Sequence, residues 1–470
     1  MTATLTSHDT PPPAVPPAKK KPWLAALLLR LHFYAGILVG PFILVAALSG
    51  AMYAATPQLE QAIYAHQLHA PAAKTSVPLA DQIEAAEAVV GDEGSLVAVR
   101  PAPNNGDTTR VMFTGDGLGE SETRAIFVNP ANAEIRGDET VYGTSGALPL
   151  RTWIDQFHRN LHLGDFGRLY SELAASWLGV VVIAGAVLWV LRIRKARAKK
   201  DMVRPTNKAT GYRRIFSWHA STGIWLLVGA LFLSATGITW SQFAGQNVTD
   251  LRAAFYVGTP SVNTDLSATA DAGAGEHAGH GVASPSTVEI EPASFDAVLA
   301  VAQRVNVNTG LVEIRPPSAP GQAWVVQEIQ RSYPTEVDAV AVDGQTLQAV
   351  DRVDFAEFNL AAKLARWGID THMGSMFGLP NQIVLIVTAL GIAAMVVFGY
   401  MMWWKRRPPD LSRRRLGAPP APPGPRVRAA VLGIVLPLAI LYPLTGLSLI
   451  AAVLLDRAVR PMIRRRSAAS

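Results

Sequence analysis

Cysteine is absent from this 470-residue chain. That removes disulfides, thiolate nucleophiles, cysteine-held zinc, iron–sulfur clusters and thiolate-ligated haem together. Any metal must be held by histidine, methionine, carboxylate or tyrosine. Charge is also sparse, at 17% of residues against 49% hydrophobic, with a mean hydropathy of +0.21. Such proportions exclude an ordinary soluble enzyme and describe a membrane protein with sizeable polar parts. No GxGxxG stretch follows a strand-like run, so a built-in nicotinamide or flavin domain has no support. A signal-peptide cleavage pattern is missing too. A proline-rich opening leads into Lys19, Lys20 and Lys21, which reads as an uncleaved anchor with its N-terminus inside.

What is present is a set of apolar runs of about 20 residues, long enough to cross a hydrocarbon core of roughly 30 Å. They centre on 31–54, 172–192, 218–240 and 381–404, with a fifth stretch near 429–455 interrupted by Pro437 and Pro443. The chain then divides into a disordered N-terminus (1–22), a first span (23–55), an outer segment (56–168), a second span (169–192), a basic loop (193–214) and a third span (215–241). A second outer segment (242–372) with a low-complexity insert (265–286), a fourth span (373–404), a second basic loop (405–428), the fifth apolar segment (429–456) and a basic tail (457–470) follow. The net charge of +6 does not point to nucleic acid, because the basic residues gather beside the spans. The positive-inside rule places both basic loops in the cytoplasm and both long polar segments outside. The tail, with Arg460 and Arg464, conflicts with this if the fifth segment crosses fully; a re-entrant or interfacial course removes the conflict, and both stay open.

Each outer segment reads as a small α/β domain. In the first, a helix-like LADQIEAAEAVVG precedes the strand-like SLVAVRP, TRVMF and RAIFVNP; in the second, FDAVLAVAQRV precedes GLVEIRP, AWVVQEI and DAVAVDG. The correspondence extends into the spans. A shift of 187 lays His32 on His219, Gly36 on Gly223 and Gly50 on Gly237, and a shift of 214 lays His158 on His372, Gly185 on Gly399 and Trp189 on Trp403. The fold class predicted is a membrane α-helical bundle of four spans plus the undecided fifth, built from two parallel repeats, each carrying an outer α/β domain.

The repeated histidines define the candidate site. Eighteen residues are five helical turns, so His32 shares a helix face with Gly50, and His219 with Gly237. A histidine at one end of a glycine stripe leaves room for something flat and large. Parallel copies related about the membrane normal bring His32 to His219 near the cytoplasmic side and His158 to His372 near the outer side. Two facing histidines with no third repeated ligand suit axial ligation of a haem better than tetrahedral zinc. His162 breaks the pattern, since its counterpart is Met376; as an i, i+4 neighbour of His158 it is an alternative ligand or a propionate contact. His66 and His69 read as surface-loop residues, His277 and His280 as part of the flexible insert, and Trp189, Trp403 and Trp404 as an interfacial aromatic belt.

The stretches LHFYAGILVGPF, FHRNLHLGDFGRLYSELAASW, WHASTGIWLLVGALFLSATGITW, THMGSMFGLPNQIVLI with GYMMWW, and LPLAILYPLTGLSL resemble the PepSY-associated transmembrane family. This group includes iron-regulated membrane proteins and ferric-siderophore reductases of the FoxB and PiuB type, and both outer segments are similar to PepSY domains. The resemblance implies a haem b protein, with two haems in the arrangement above, that passes electrons across the cell membrane and reduces siderophore-bound iron at the outer face. It makes His32, His158, His219 and His372 the axial ligands; charge and location alone make Arg30, Arg159 and Arg168 candidates for propionate contacts. The implied partners are a ferric siderophore, the lipid bilayer and an unidentified cytoplasmic or quinol electron donor. Two other classes stay open: a non-enzymatic PepSY regulator of extracytoplasmic proteases, and a siderophore or metal transporter. Against the transporter, the sequence shows no paired buried carboxylates or broken midplane helices outside the fifth segment.

Overall fold

The computed structural model describes residues 23–196, 199–206, 208–267 and 288–406, with separate positions beyond 418 and a continuous run over 439–451. The N-terminal stretch, most of the insert with His277 and His280, most of the second basic loop and the tail lie outside the described residues.

Among the described residues, two helices are long and apolar enough to cross a membrane singly: α7 (Gly164–Ile193) and α13 (Gly378–Arg406). The first and third spans, expected as continuous, are each broken. Helix α1 (Trp23–Leu38) meets α2 (Gly40–Ala54) at a 61° bend, and α8 (Gly211–Trp225) meets α9 (Leu227–Ile238) at 63°; counting each bent pair as one crossing raises the total to four. The first bend has a chemical cause. Pro41 has no N–H, so the Ile37 carbonyl loses its helical partner, and the Tyr400 hydroxyl donates to it instead at 2.6 Å. Gly40 permits that approach, because a Cβ there would lie 3.3 Å from the Tyr400 ring. The second bend contains no proline. Leu226 packs there against Gly391, where a Cβ would lie only 2.6 Å from Leu226 Cδ1. The bend residues Val39 and Leu226 are themselves 187 apart.

The long helices interlock the two halves of the chain: α7 packs on α1 and α9, while α13 packs on α8 and α2. Ala35, Ile43, Ala174, Trp177, Ala230 and Ile392 form the apolar centre of this bundle. Part of the fifth segment docks onto α7, where the buried Thr445 hydroxyl donates to Ser176 Oγ at 2.7 Å and the Trp177 indole donates to Ser448 Oγ at 2.9 Å.

After α2, short helices α3 (Thr56–Ile63) and α4 (Ala65–Leu68) lead to α5 (Leu79–Val90) and strands β1 (Gly94–Arg100), β2 (Thr109–Gly115), β3 (Glu122–Val128) and β4 (Ile135–Tyr142). Helix α6 (Pro149–Asn160) then connects to α7. After α9, α10 (Phe243–Ala254) and α11 (Ala293–Arg304) precede β5 (Val312–Arg315), β6 (Trp324–Glu328), β7 (Ala339–Asp343) and β8 (Gln348–Val353), and α12 (Leu360–His372) leads into α13. The strand sets do not form separate sheets. They join edge to edge in one antiparallel eight-stranded sheet, β4-β3-β2-β1-β5-β6-β7-β8, through the pairing of Val99 with Ile314. Helices α5 and α11 cover one face, and Ile83, Ala86, Phe295 and Val298 share a single core with both strand sets. The other face, through Ala98, Arg100, Met112, Val325 and Gln327, roofs a cavity above the bundle.

Candidate cofactor site

His158 lies near the end of α6, and several bonds fix that helix against α2 and α3. The Leu148 amide donates to Glu60 Oε1 at 2.8 Å, the Leu150 amide to the Tyr64 hydroxyl at 3.1 Å, and Arg151 Nη2 to the Tyr53 hydroxyl at 2.9 Å. His372 closes α12. Its helix starts on an Asn359 cap that accepts from the Ala362 amide, and Asn381 Nδ2 donates to the Thr371 carbonyl at 3.0 Å. The two imidazoles are held alike. Ser49 Oγ lies 2.9 Å from His158 Nδ1 and Thr236 Oγ1 lies 2.6 Å from His372 Nδ1. These hydroxyls are 187 apart in sequence, the offset of the first span on the third. Neighbouring glycines admit the rings: a Cβ on Gly50 would lie 3.2 Å from His158 Cε1, and one on Gly237 would lie 3.9 Å from His372 Cε1. With Nδ1 engaged, Nε2 is the nitrogen left to act. Burial, and after it the neighbouring His158, pushes the His372 imidazole down to about 3, and burial lowers His158 too, so both stand neutral.

Both histidines line the cavity of about 820 Å³ between bundle and sheet. Its floor is apolar, with Ile43, Ala46, Ala174, Leu178, Ala389 and Ile392, and its upper part carries Arg100, Arg159, Arg252, Arg315, Arg331 and Arg366. The facing carboxylates are Asp155, Glu313 and Glu328. Burial tends to raise the Glu313 carboxyl, but the Arg100 guanidinium, 2.6 Å away, outweighs it and holds the group below its ordinary range.

The second pair sits lower in the bundle. The rings of His32 and His219 have centroids 6.2 Å apart and lie nearly perpendicular, at 81°. His32 Nδ1 is 3.0 Å from the Val181 carbonyl, and a Cβ on Gly185 would lie 3.0 Å from His32 Cε1. Among the described residues His219 Nδ1 is buried without a hydrogen-bond partner, and the Met395 backbone, 214 positions on from Val181, is the group that neighbours it. A Cβ on Gly36 or Gly399 would meet nothing within 4 Å, which leaves room along this layer. Along the unbroken α7, Ala175 packs at the upper layer, where a Cβ on Gly237 would lie 3.4 Å from it, and Gly185 at the lower. The layers are thus separated by roughly 15 Å, ten residues of helical rise.

His162 takes a different place. Helix α6 stops at Asn160, and Leu161 and His162 both adopt left-handed backbone, φ 55° and 56°. The helical i, i+4 register with His158 is therefore lost, and His162 lies tilted against Trp153 and stacks on Phe157, at centroid distances of 5.0 and 6.2 Å. It does not line the cavity. Of the arginines singled out by sequence, Arg159 lines the cavity, Arg168 reaches the Trp240 carbonyl, and Arg30 donates to Tyr34 and to the Pro419 carbonyl. His66 bonds the Arg136 carbonyl and His69 bonds Asp107 and Gln61, which tie the chain after α3 to the sheet. Sequence reasoning missed Ser49, Thr236, Arg331 and Arg366. The shared 187 offset of the two hydroxyls was a usable signal, whereas nothing local marked the arginines.

No curated protein matches the chain. The model of the PepSY-associated TM region does match it, over residues 29–406, which is most of its length, and the chain belongs to that family.

Proposed function

We propose that this membrane protein carries electrons across the bilayer through two bis-histidine haem b sites, His32 with His219 and His158 with His372. We further propose that the electrons reduce siderophore-bound iron at the outer face, as in reductases of the FoxB and PiuB type. The observation that carries the reading is the His32–His219 separation. Two imidazoles bonded to one metal atom at about 2.0–2.1 Å have ring centroids roughly 6.3 Å apart, and the two rings stand 6.2 Å apart. The fit extends to the upper pair, where neutral, buried imidazoles with hydroxyl-held Nδ1 face an apolar-floored cavity. Neutral imidazole is the ligating form, and a partner on the other ring nitrogen fixes its orientation. Haem bound there supplies an iron that takes up and passes on single electrons.

The residues of the chain do the rest. Ser49, Thr236 and the Val181 carbonyl aim the rings, the glycines keep space beside them, and α7 spaces the two layers close enough for electrons to pass. The apolar floor excludes water between them. Four crossings, a duplicated architecture, an inner-membrane location and an N-terminus and basic loops on the cytoplasmic side belong to the same proposal and rest on the charge pattern and the repeated offsets. The test is an absorption spectrum of detergent-purified protein, oxidised and then dithionite-reduced, with haem quantified. Six-coordinate low-spin b-type bands and about two haems per chain are expected. A haem-free protein after expression with ample haem sinks the reading. Reoxidation of the reduced protein by a ferric siderophore tests the substrate; a spectrum that stays reduced rejects it.

A transporter reading gains from the bends at Val39 and Leu226, since broken helices are a transporter trait. Uptake of labelled siderophore into vesicles with no reduction signal favours it; reduction without uptake removes it.

A further inference from the structure

The cavity under the sheet holds more positive charge than its own carboxylates answer. Glu313 is shared between two guanidiniums, Arg100 at 2.6 Å and Arg315 at 3.6 Å, the latter beyond hydrogen-bond length. Glu328 is taken up by the Asn308 and Thr309 amides at 3.0 and 3.2 Å. Asp370, behind the wall, pairs with Arg366 at 2.8 Å. Arg331 has only neutral close contacts among the described residues: it donates to Thr144 Oγ1 at 2.6 Å and touches Met373 Sδ at 3.7 Å, while the Asp370 and Glu313 carboxylates act on it from beyond ion-pair distance. Burial, followed by the like charge of Arg366, brings its guanidinium down to about 10, so it pays for its position. Arg159 acts on Asp155, whose carboxyl it favours in the charged form, but its Nη1 goes to the Tyr142 hydroxyl at 2.6 Å and, among the described residues, its Nε is buried without a hydrogen-bond partner. Buried cations of this kind are stabilised by a hydrogen-bonded anion.

We propose that this cavity binds a carboxylate-rich anion, with Arg331 as the principal charge contact and Arg159, Arg315 and Arg366 around it. Guanidiniums match carboxylates in planar, two-pronged geometry. The cavity, at about 820 Å³, has the size of a small-molecule site. Two sources carry this chemistry: the propionates of a porphyrin seated at the His158–His372 floor, and a free polycarboxylate entering from the sheet side. The inference stands on the arginine surplus and holds whether or not the haem reading does.

The test uses the full chain in detergent, haem-free, titrated with citrate at constant ionic strength in an isothermal calorimeter, with glycerol as the uncharged control. Saturable citrate binding is expected, weakened about tenfold or more by Arg331→Gln and less by Arg331→Lys. Arg124→Gln, at the β3–β4 edge where Arg124 pairs with Asp138, leaves it unchanged. If Arg331→Gln does not fold by circular dichroism, Arg315→Gln serves in its place. Persistence of citrate binding in haem-loaded protein assigns the arginines to a free anion. Its loss with haem, but not with haem dimethyl ester, assigns them to propionates. No saturable binding at roughly 10 mM citrate, or wild-type affinity in the glutamine variants, overturns the site. A chain that never binds haem yet binds citrate through Arg331 refutes the electron-transfer reading and leaves this one standing.

Discussion

The two histidine pairs are supported by different kinds of partner. In the upper pair each Nδ1 meets a hydroxyl from a bent span, Ser49 for His158 and Thr236 for His372, and both rings open on one cavity. In the lower pair His32 leans on the Val181 carbonyl, whereas His219 Nδ1 has no hydrogen-bond partner among the described residues. The Ser49 and Thr236 hydroxyls donate their own protons to the Val45 and Phe232 carbonyls at 2.7 Å and so accept from the imidazole Nδ1–H, as the Val181 carbonyl does from His32. The upper layer is thus held evenly, and the lower layer is held on one side.

The sharpest way to break this comparison is to delete one ligand. His219→Ala should lower haem content from about two to about one per chain and leave the upper site's spectrum in place; an unchanged haem count refutes the pairing. Next in size is an asymmetric glycine test. Gly185→Val places a side chain where even a Cβ would lie 3.0 Å from His32 Cε1, while a Cβ on Gly399 would meet nothing within 4 Å among the described residues. Overpacking of this kind costs about 1–3 kcal/mol, so haem retention by the lower site should fall in Gly185→Val and hold in Gly399→Val. Equal losses in both would show that the asymmetry has no consequence.

A smaller effect concerns pH. The His372 imidazole ordinarily titrates near 6.5 but is pushed down to about 3 in the folded chain, by burial and then by His158. Below the ordinary value the unfolded chain takes up a proton that the folded chain refuses, so stability present at neutral pH is lost as pH falls. Between about pH 7.5 and 5.5 this one group removes roughly 1.4 kcal/mol from haem-free protein. Thermal unfolding in that window should show the loss, and His372→Gln should flatten it. The smallest effect is on the hydroxyls. Ser49→Ala and Thr236→Val should each shift the upper site's potential by about 1 kcal/mol, the worth of one hydrogen bond, with no change in the lower site, as read by a spectroelectrochemical titration.

Legibility followed the physics of each element. Helices α5 and α11 and strands β1, β2, β3, β5, β6 and β7 were readable because each buries an apolar face that the sequence displays at period 3.6 or 2. Strands β4 and β8 were not. They are edge strands, and IRGDETVY and QAVDRV are mostly half-buried or exposed, so no alternation marks them. Helix existence was readable in the spans, but the bend at Leu226 was not, since no proline announces it and it is held by contact with Gly391. His162 shows the limit of spacing arguments. Four residues place two side chains on one face only while the helix lasts, and α6 ends two residues too soon.

Membrane character, the four registered histidines and the two offsets that pair them were legible in the chain before any folding, because hydropathy, charge and spacing are local properties. Folding in three dimensions was needed to settle which side chains those histidines lean on, how the two strand sets fuse into one sheet, and where Arg331 comes to rest with no carboxylate of the described residues at ion-pair distance. Those outcomes depend on groups far apart in sequence. Ser49 and His158 are 109 residues apart, Thr236 and His372 are 136 apart, and Arg331 and Thr144 are 187 apart. Only the packing of the whole chain brings such groups within hydrogen-bond distance.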